Sequence, residues 1–405
     1  QIELEKQPVD FLANNINKNL EKSRHSLSKF INCNLNDLVF FPNPSTALNM
    51  VIKSLDLNKG DEILTTNHEY GALVKTWKYI CDKSSSKYLE YSPKLPLKSP
   101  SDFIDGLIQK INDKTKIIFI SQITSPTGLI FPVKKLCEEA RKRNILSIID
   151  GAHVPAHINL SIKDINPDVY VGACHKWMMA PKGTSFLYVK KEIQKTMKPL
   201  VISWGWESDL DDFMIKPGSS PFLDHHQWQG TNDISPYLII PDLIDFIKKY
   251  NWKDISGKCK KLNFDSRERL IALFDEEQLC KHSPDWFGQM SSICLPDCDV
   301  LDLYNFFKLN KIELPIMDWN GKKILRISIQ AYNSEKDIDK LKMINCRQLL
   351  VTGDLDIKFA QLAGQIQKES SCVQHVTIPC ASHAAHLESP ELFTKVLGAF
   401  LNAKA

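Results

Sequence analysis

Lys176 sits in the run Gly172-Ala-Cys-His-Lys176-Trp177, directly after the apolar stretch Val169–Val171. Twenty-six residues earlier, Asp150-Gly-Ala-His153 closes a second apolar stretch, Ile145–Asp150. Nearer the beginning, Asn43-Pro-Ser-Thr-Ala47 precedes a helix-like run, Leu48–Leu55. The chemistry that uses these three pieces together is that of pyridoxal phosphate (PLP). A lysine amine forms a Schiff base with that cofactor, and an acidic partner keeps the pyridine nitrogen protonated so that the ring draws electrons. A hydroxyl-bearing turn at a helix N-terminus offers N–H donors and a favourable dipole to a phosphate. Each piece alone has a plainer reading: an Asp that caps a turn, a surface His-Lys pair, an ordinary N-cap. Their common position after apolar strands is what joins them.

The elements that must position them read as an α/β domain. Asp61–Thr66, Lys116–Ser121, Ile145–Asp150 and Gly183–Lys190 have the continuous apolar character of strands buried on both faces. Between them lie amphipathic stretches such as Val133–Asn144, with apolar positions at helical spacing. Strands alternating with helices predict a large, mainly parallel sheet, with ligands at the carboxyl ends of its strands. The predicted domains are an N-terminal segment over 1–30, packed near a smaller domain; a large cofactor-binding domain over 31–245; that smaller α+β domain over 246–345, with Lys323–Ile329 as one strand; and a tail over 346–405. The tail is set apart by composition. The first 345 residues hold 10 Ala and 23 Asn, the last 60 hold 8 Ala and 1 Asn, and Ile344–Cys346 is read as the junction.

Bulk properties narrow the class. Fifty-one basic residues nearly balance 48 acidic ones, so net charge is +3, and no nucleic-acid or membrane partner is expected. Apolar runs stop far short of the roughly 20 residues that cross a bilayer. The eleven cysteines are scattered without a Cys-x-x-Cys pair, and Cys294 and Cys298 lack a second pair. This spacing argues against a structural zinc site and suits a reducing cytoplasm. The chain begins at Gln1 rather than Met, as expected of a sequence that starts late.

Six segments, in order over some 270 residues, carry a resemblance: His68-Glu-Tyr-Gly-Ala72, Thr124-Ser-Pro-Thr-Gly128, Asp150-Gly-Ala-His153, His175-Lys-Trp177 with Ala180-Pro-Lys-Gly183, Gln229-Gly-Thr231, and Leu325-Arg-Ile-Ser328 with Tyr332-Asn333. With these, residues about 30–340 resemble the class V aminotransferases, PLP enzymes of fold type I, and most closely the isopenicillin N epimerase-like branch. The resemblance implies the following roles. Lys176 carries the cofactor, Asp150 faces the pyridine nitrogen and His153 touches the ring hydroxyl. Ser45, Thr46 and His175 bind the phosphate. Thr231 reaches the phosphate site of a neighbouring subunit, which implies a homodimer. Arg326 grips the α-carboxylate of an amino-acid substrate, a task suited to a planar two-pronged donor, and Ser125 lies in the substrate-binding turn. Tyr70 or His68 stacks on the ring, with Tyr70 favoured by its spacing to Trp77. The chain departs from the family at Ala173, where Ser or Asn is usual, and at Asn232, where Arg is frequent. The family's Gly-rich N-terminal stretch is absent as well.

Several reactions begin with a carbanion at Cα: transamination, epimerisation and lyase chemistry all stay open. A persulfide-forming desulfurase needs a thiolate shortly before the carboxylate-binding arginine, and Lys311–Leu325 contains no Cys. Cys174 could serve as a thiol acid for epimerisation, but a small packed residue is the plainer reading. A PLP fold without activity is the alternative from another class. In the tail, Leu349–Asp356 and Val376–His386 with Leu387-Glu-Ser-Pro390 resemble the end of an α/β-hydrolase of the menaquinone and phylloquinone pathways. That resemblance matches Asp356 and His383 to an acid and a base. No Gly-x-Ser-x-Gly elbow supplies a nucleophile, so the tail is expected to be catalytically silent.

Overall fold

The computed structural model describes residues 2–206, 220–274, 276–341, 348–369 and 373–402. By contacts the chain divides into two compact units, Gln1–Asn333 and Ser334–Ala405. The junction expected at Ile344–Cys346 lies outside the described residues.

The larger unit is built on seven strands: β1 (Leu38–Phe41), β2 (Glu62–Thr66), β3 (Lys87–Tyr91), β4 (Thr115–Ser121), β5 (Leu146–Asp150), β6 (Val169–Ala173) and β7 (Ser185–Val189). They lie in the order β1-β7-β6-β5-β4-β2-β3. The four pairings from β3 through β2, β4 and β5 to β6 are parallel, and β7 runs antiparallel to both β6 and β1. Alternate residues feed two separate cores. Ile117, Phe119 and Ile148 face one, with the helix Pro44–Ser54; Ile118, Ile120 and Ile149 face the other, with the helix Val133–Lys142. Burial of both faces is why these strands read as unbroken apolar runs. The helix Ile16–Phe30, expected beside the smaller domain, packs instead on the helix Ile240–Lys249 and on β1. Its Leu20 and Leu27 share a core cluster with Phe40, Ile240 and Ile244, so apolar complementarity at the β1 end of the sheet decides its place.

A second, antiparallel sheet combines β8 (Met290–Leu295), β9 (Ile316–Trp319) and β10 (Lys322–Ser328) in the order β8-β10-β9. The helix Trp252–Phe274 backs it, with Asn263 accepting from the Ser291 hydroxyl and Arg267 donating to the Ser292 carbonyl. This sheet is fastened to the loops of the large one. The Gln289 N–H donates to His157 Nε2 at 2.6 Å, the Ser292 hydroxyl to the Thr127 carbonyl at 2.6 Å, and the Trp319 indole to the Asn67 carbonyl at 3.0 Å.

The smaller unit contains the helix Glu335–Leu341, the strand β11 (Gln348–Gly353), the helix Ile357–Glu369, the strand β12 (Val373–Ile378) and the helices Ala385–Glu388 and Pro390–Asn402. β11 and β12 pair in parallel. Within it, His383 Nδ1 meets the Asp356 carboxylate at 2.8 Å, with the ring of His383 largely exposed. Among the described residues no helix is long and apolar enough to cross a membrane.

Candidate active site

The carboxyl ends of β2, β4, β5 and β6 lie side by side, with Ser121 level with Asp150 and Asp150 level with Val171. The loops that leave these ends bring the sequence motifs together. A cleft of about 220 Å³ is lined by Ser45 at the start of the helix Pro44–Ser54, Tyr70, Ser121, Ser125, Asp150, His153, His175 and Lys176, among others. Gly151 permits the turn after Asp150, because a Cβ there would strike the ring of Tyr170.

Lys176 opens onto the cleft, and its Nζ stands 3.1 Å from His153 Nε2. Surrounding protein lowers its amine pKa; Asp150 opposes that shift, while Arg326 and Lys182 add to it. Asp150 is buried and accepts the Ala152 N–H at 2.9 Å. Burial raises its carboxyl pKa, with the Ala152 N–H and Lys176 pulling the other way. His153 is held at its second nitrogen by the Trp177 indole, at 3.2 Å, and its pKa falls well below the usual imidazole range through burial, then Lys176, Arg326 and His157. His175 engages the Thr184 carbonyl through Nδ1 at 2.8 Å. Arg326, on β10, donates to the Ser125 carbonyl and, at 3.3 Å, to the Ser125 hydroxyl. Its half-buried guanidinium pairs with no carboxylate among the described residues.

Some expected residues stand elsewhere. His68 is fully buried behind the cleft, donating to or accepting from the Thr127 hydroxyl at 2.9 Å and lying 4.5 Å from the Trp319 ring. Desolvation drives its pKa down to about 3, so it is a neutral ring in an aromatic core. Of the two stacking candidates, Tyr70 is the one that lines the cleft. Thr46 spends both its N–H and its hydroxyl on Asn43, whose side chain caps the helix. Thr231 is exposed and outside the cleft. Cys174 is buried, and burial pushes its thiol well up, as for a packed residue.

Sequence reasoning missed Glu69, Ser121 and His157. The Glu69 carboxylate accepts the Thr66 hydroxyl at 2.6 Å and, from Ser121, the N–H at 2.9 Å and the hydroxyl at 2.6 Å. Ser121 could have been found from its place at the end of the strand beside Asp150. No cation among the described residues contributes at Glu69, and desolvation, with a contribution from Asp150, lifts its pKa to about 8. The folded chain thus keeps a proton that the unfolded chain releases near pH 4.5, and stability falls as pH rises from there towards 8. Thermal denaturation of Glu69→Gln should show a pH dependence shallower by up to about 1.4 kcal/mol per unit in that window. An unchanged slope would show Glu69 ionised in the folded chain.

The donor set fits the cofactor expected from the sequence. An amine, a buried carboxylate free of any cationic side chain in hydrogen-bond contact, an aromatic ring and a helix N-terminus share one small cleft. Together with the seven-stranded sheet, these features define a fold-type I PLP protein. The chain belongs to the aminotransferase class-V family, whose model matches residues 7–341. It is 31% identical over 342 residues to isopenicillin N epimerase of Streptomyces clavuligerus, covering 83% of this chain and 86% of that protein. The isopenicillin N epimerase of Amycolatopsis lactamdurans is 29% identical over 342 residues, covering 82% and 86%. A cysteine desulfurase from Thermococcus onnurineus NA1 shares the fold, with a TM-score of 0.69 and 20% identity over 80% of this chain and 82% of that one.

Proposed function

We propose that this protein is a PLP-dependent enzyme that removes the Cα proton of an amino acid, with Lys176 both holding the cofactor and serving as the base. The observation that carries this reading is the Lys176 amine in the cleft, 3.1 Å from His153 Nε2, in a cleft that Asp150 also lines. Asp150 would face the ring nitrogen, Tyr70 would stack on the ring, and Ser45 and His175 would meet the phosphate. When bound, the cofactor supplies an electron sink for the charge left at Cα. A lysine amine with a lowered pKa is suited to proton transfer near neutrality. The Arg326 guanidinium and the Ser125 turn would orient the substrate carboxylate. The likeness to the two epimerases favours return of the proton to Cα over loss of the amino group, so the reading is epimerase-like. A homodimer in which Thr231 completes the partner's phosphate site, working in the cytoplasm, belongs to the same proposal.

Exchange of the Cα hydrogen of a panel of amino acids in deuterium oxide, followed by chiral chromatography, tests the reaction. Exchange with inversion supports it; keto-acid formation without inversion would replace it by transamination. Arg326→Ala should raise KM by about 10- to 100-fold, as expected for losing a charge-assisted bond of roughly 1.5–3 kcal/mol, and should leave cofactor binding intact. Deletion of 346–405 should leave the visible absorbance of bound cofactor unchanged, and its loss on deletion would give the tail a structural part in the cofactor site.

A further inference from the structure

Trp177 has no role in the reading above, yet its indole points at the histidine that touches Lys176. Trp177 Nε1 lies 3.2 Å from His153 Nδ1, and the ring is 7% exposed. An indole N–H can only donate, so His153 Nδ1 must be a bare acceptor. The proton of the neutral imidazole is then on Nε2, and Nε2 is 3.1 Å from Lys176 Nζ. An N–H aimed at an ammonium would set donor against donor, and the contact is a hydrogen bond only if the lysine nitrogen offers its lone pair. The two other arrangements fail at the indole. An imidazolium, or an imidazole accepting from a protonated lysine, carries a hydrogen on Nδ1 that would face the indole N–H.

The supporting residues have no freedom to undo this. The His157 ring lies against the Trp177 indole, with centroids 4.1 Å apart. His157 Nε2 accepts the Gln289 N–H at 2.6 Å, so its Nδ1 carries the hydrogen and donates to the His153 carbonyl at 2.9 Å. His157 thus has its own tautomer fixed by two backbone groups, and it holds both the indole and the backbone of His153.

We infer that Trp177 is a positioning residue that locks His153 as its Nε2–H tautomer, which makes Lys176 a neutral amine ready to attack a carbonyl. The inference deepens the reading of Lys176 as the cofactor lysine and rests on it for its meaning, though its test does not. The charged and titratable groups facing the pair are Asp150, which favours the ammonium, and Arg326, Lys182 and His157, which oppose a positive charge on Lys176 or His153. Trp177 adds to their summed field a veto on one particular proton.

The test uses the full-length protein freed of cofactor. With histidine labelled by nitrogen-15, the long-range proton–nitrogen spectrum of the unaltered protein should give His153 the pattern of an Nε2–H imidazole. An Nδ1–H pattern would overturn the inference without any variant. Trp177→Phe keeps the ring against His157 and removes only the donor. In that variant His153 should show both tautomers. The pH profile of Lys176 acetylation by acetic anhydride, read peptide by peptide against surface lysines, should move up by about one unit, an approximately tenfold slower reaction near neutrality. A folded Trp177→Phe protein with an unshifted profile and a single tautomer would reduce Trp177 to packing. Borohydride labelling of Lys176 by added PLP fails only if the functional reading fails, so the two can be told apart.

Discussion

Lys176→Ala should yield a folded, colourless protein that retains no cofactor after borohydride reduction and dialysis. In the unaltered chain, reduction followed by peptide mapping should place a pyridoxyl label on Lys176 alone. The amine is the nitrogen in the cleft that stands against His153, and the nearby Lys182 donates to the His175 carbonyl. Removing it takes away both the proposed covalent anchor and the proposed base, so turnover should fall by at least the roughly 10²- to 10⁴-fold that a positioned acid or base contributes. The cost to folding should be small, because Lys176 opens onto the cleft and its one side-chain hydrogen bond among the described residues is to His153. A label on any other lysine, or turnover unchanged in the variant, would falsify the assignment.

Asp150→Asn should have the second largest effect, and in opposite directions for stability and activity. Burial raises the Asp150 pKa, and the opposing N–H of Ala152 and charge of Lys176 do not cancel it. A carboxyl whose folded pKa exceeds its unfolded one costs stability as pH rises above the unfolded value. Before cofactor binds, asparagine should therefore be tolerated, with a melting temperature equal to or above that of the unaltered chain at neutral pH. Once a protonated ring nitrogen lies opposite, the ionised aspartate acquires its partner, and the same substitution removes it. The melting-temperature gain on adding PLP should shrink, and turnover should drop by about 10²-fold or more, in line with losing an electrostatic group at a site of developing charge. Equal stabilisation by PLP in both proteins would place the ring nitrogen elsewhere.

Much of the large sheet was legible because its strands are buried on both faces. Ile145–Asp150 is apolar without alternation, and it is β5 to within a residue. The edge strand β3 was not read: Lys-Tyr-Leu-Glu-Tyr is half exposed and carries two charges, as an edge tolerates. β1, four residues long and at the other edge, was too short to distinguish from a loop. The cleft residues that follow strand ends were readable, since the position at a strand's carboxyl end already says where a side chain goes. What could not be read were partners from distant parts of the chain. His68 and Tyr70 are two residues apart, and only the approach of Thr127, Phe131 and Trp319 buries the first while the second lines the cleft. The capping bonds that take the Thr46 N–H and hydroxyl to Asn43 were not read either. His157 and Gln289 are 132 residues apart, and nothing local in either segment announces their bond.

That bond, with the one from Ser292 to Thr127, makes the smaller sheet a continuation of the cleft loops in mechanical terms. Each joins β8, or the residue just before it, to a loop bearing a proposed site residue: His153 in one case, Ser125 in the other. Swinging the sheet away as a rigid flap would pull on both loops and leave buried polar groups unsatisfied. Arg326 rides on the strand next to β8 and inherits that fixed registration with Lys176. The distance between Arg326 and Lys176, the proposed carboxylate clamp and base, would therefore act as a built-in ruler. On the proposed function, substrates would be sorted by whether their Cα falls at the right mark on it, and side-chain bulk would have to be accommodated elsewhere.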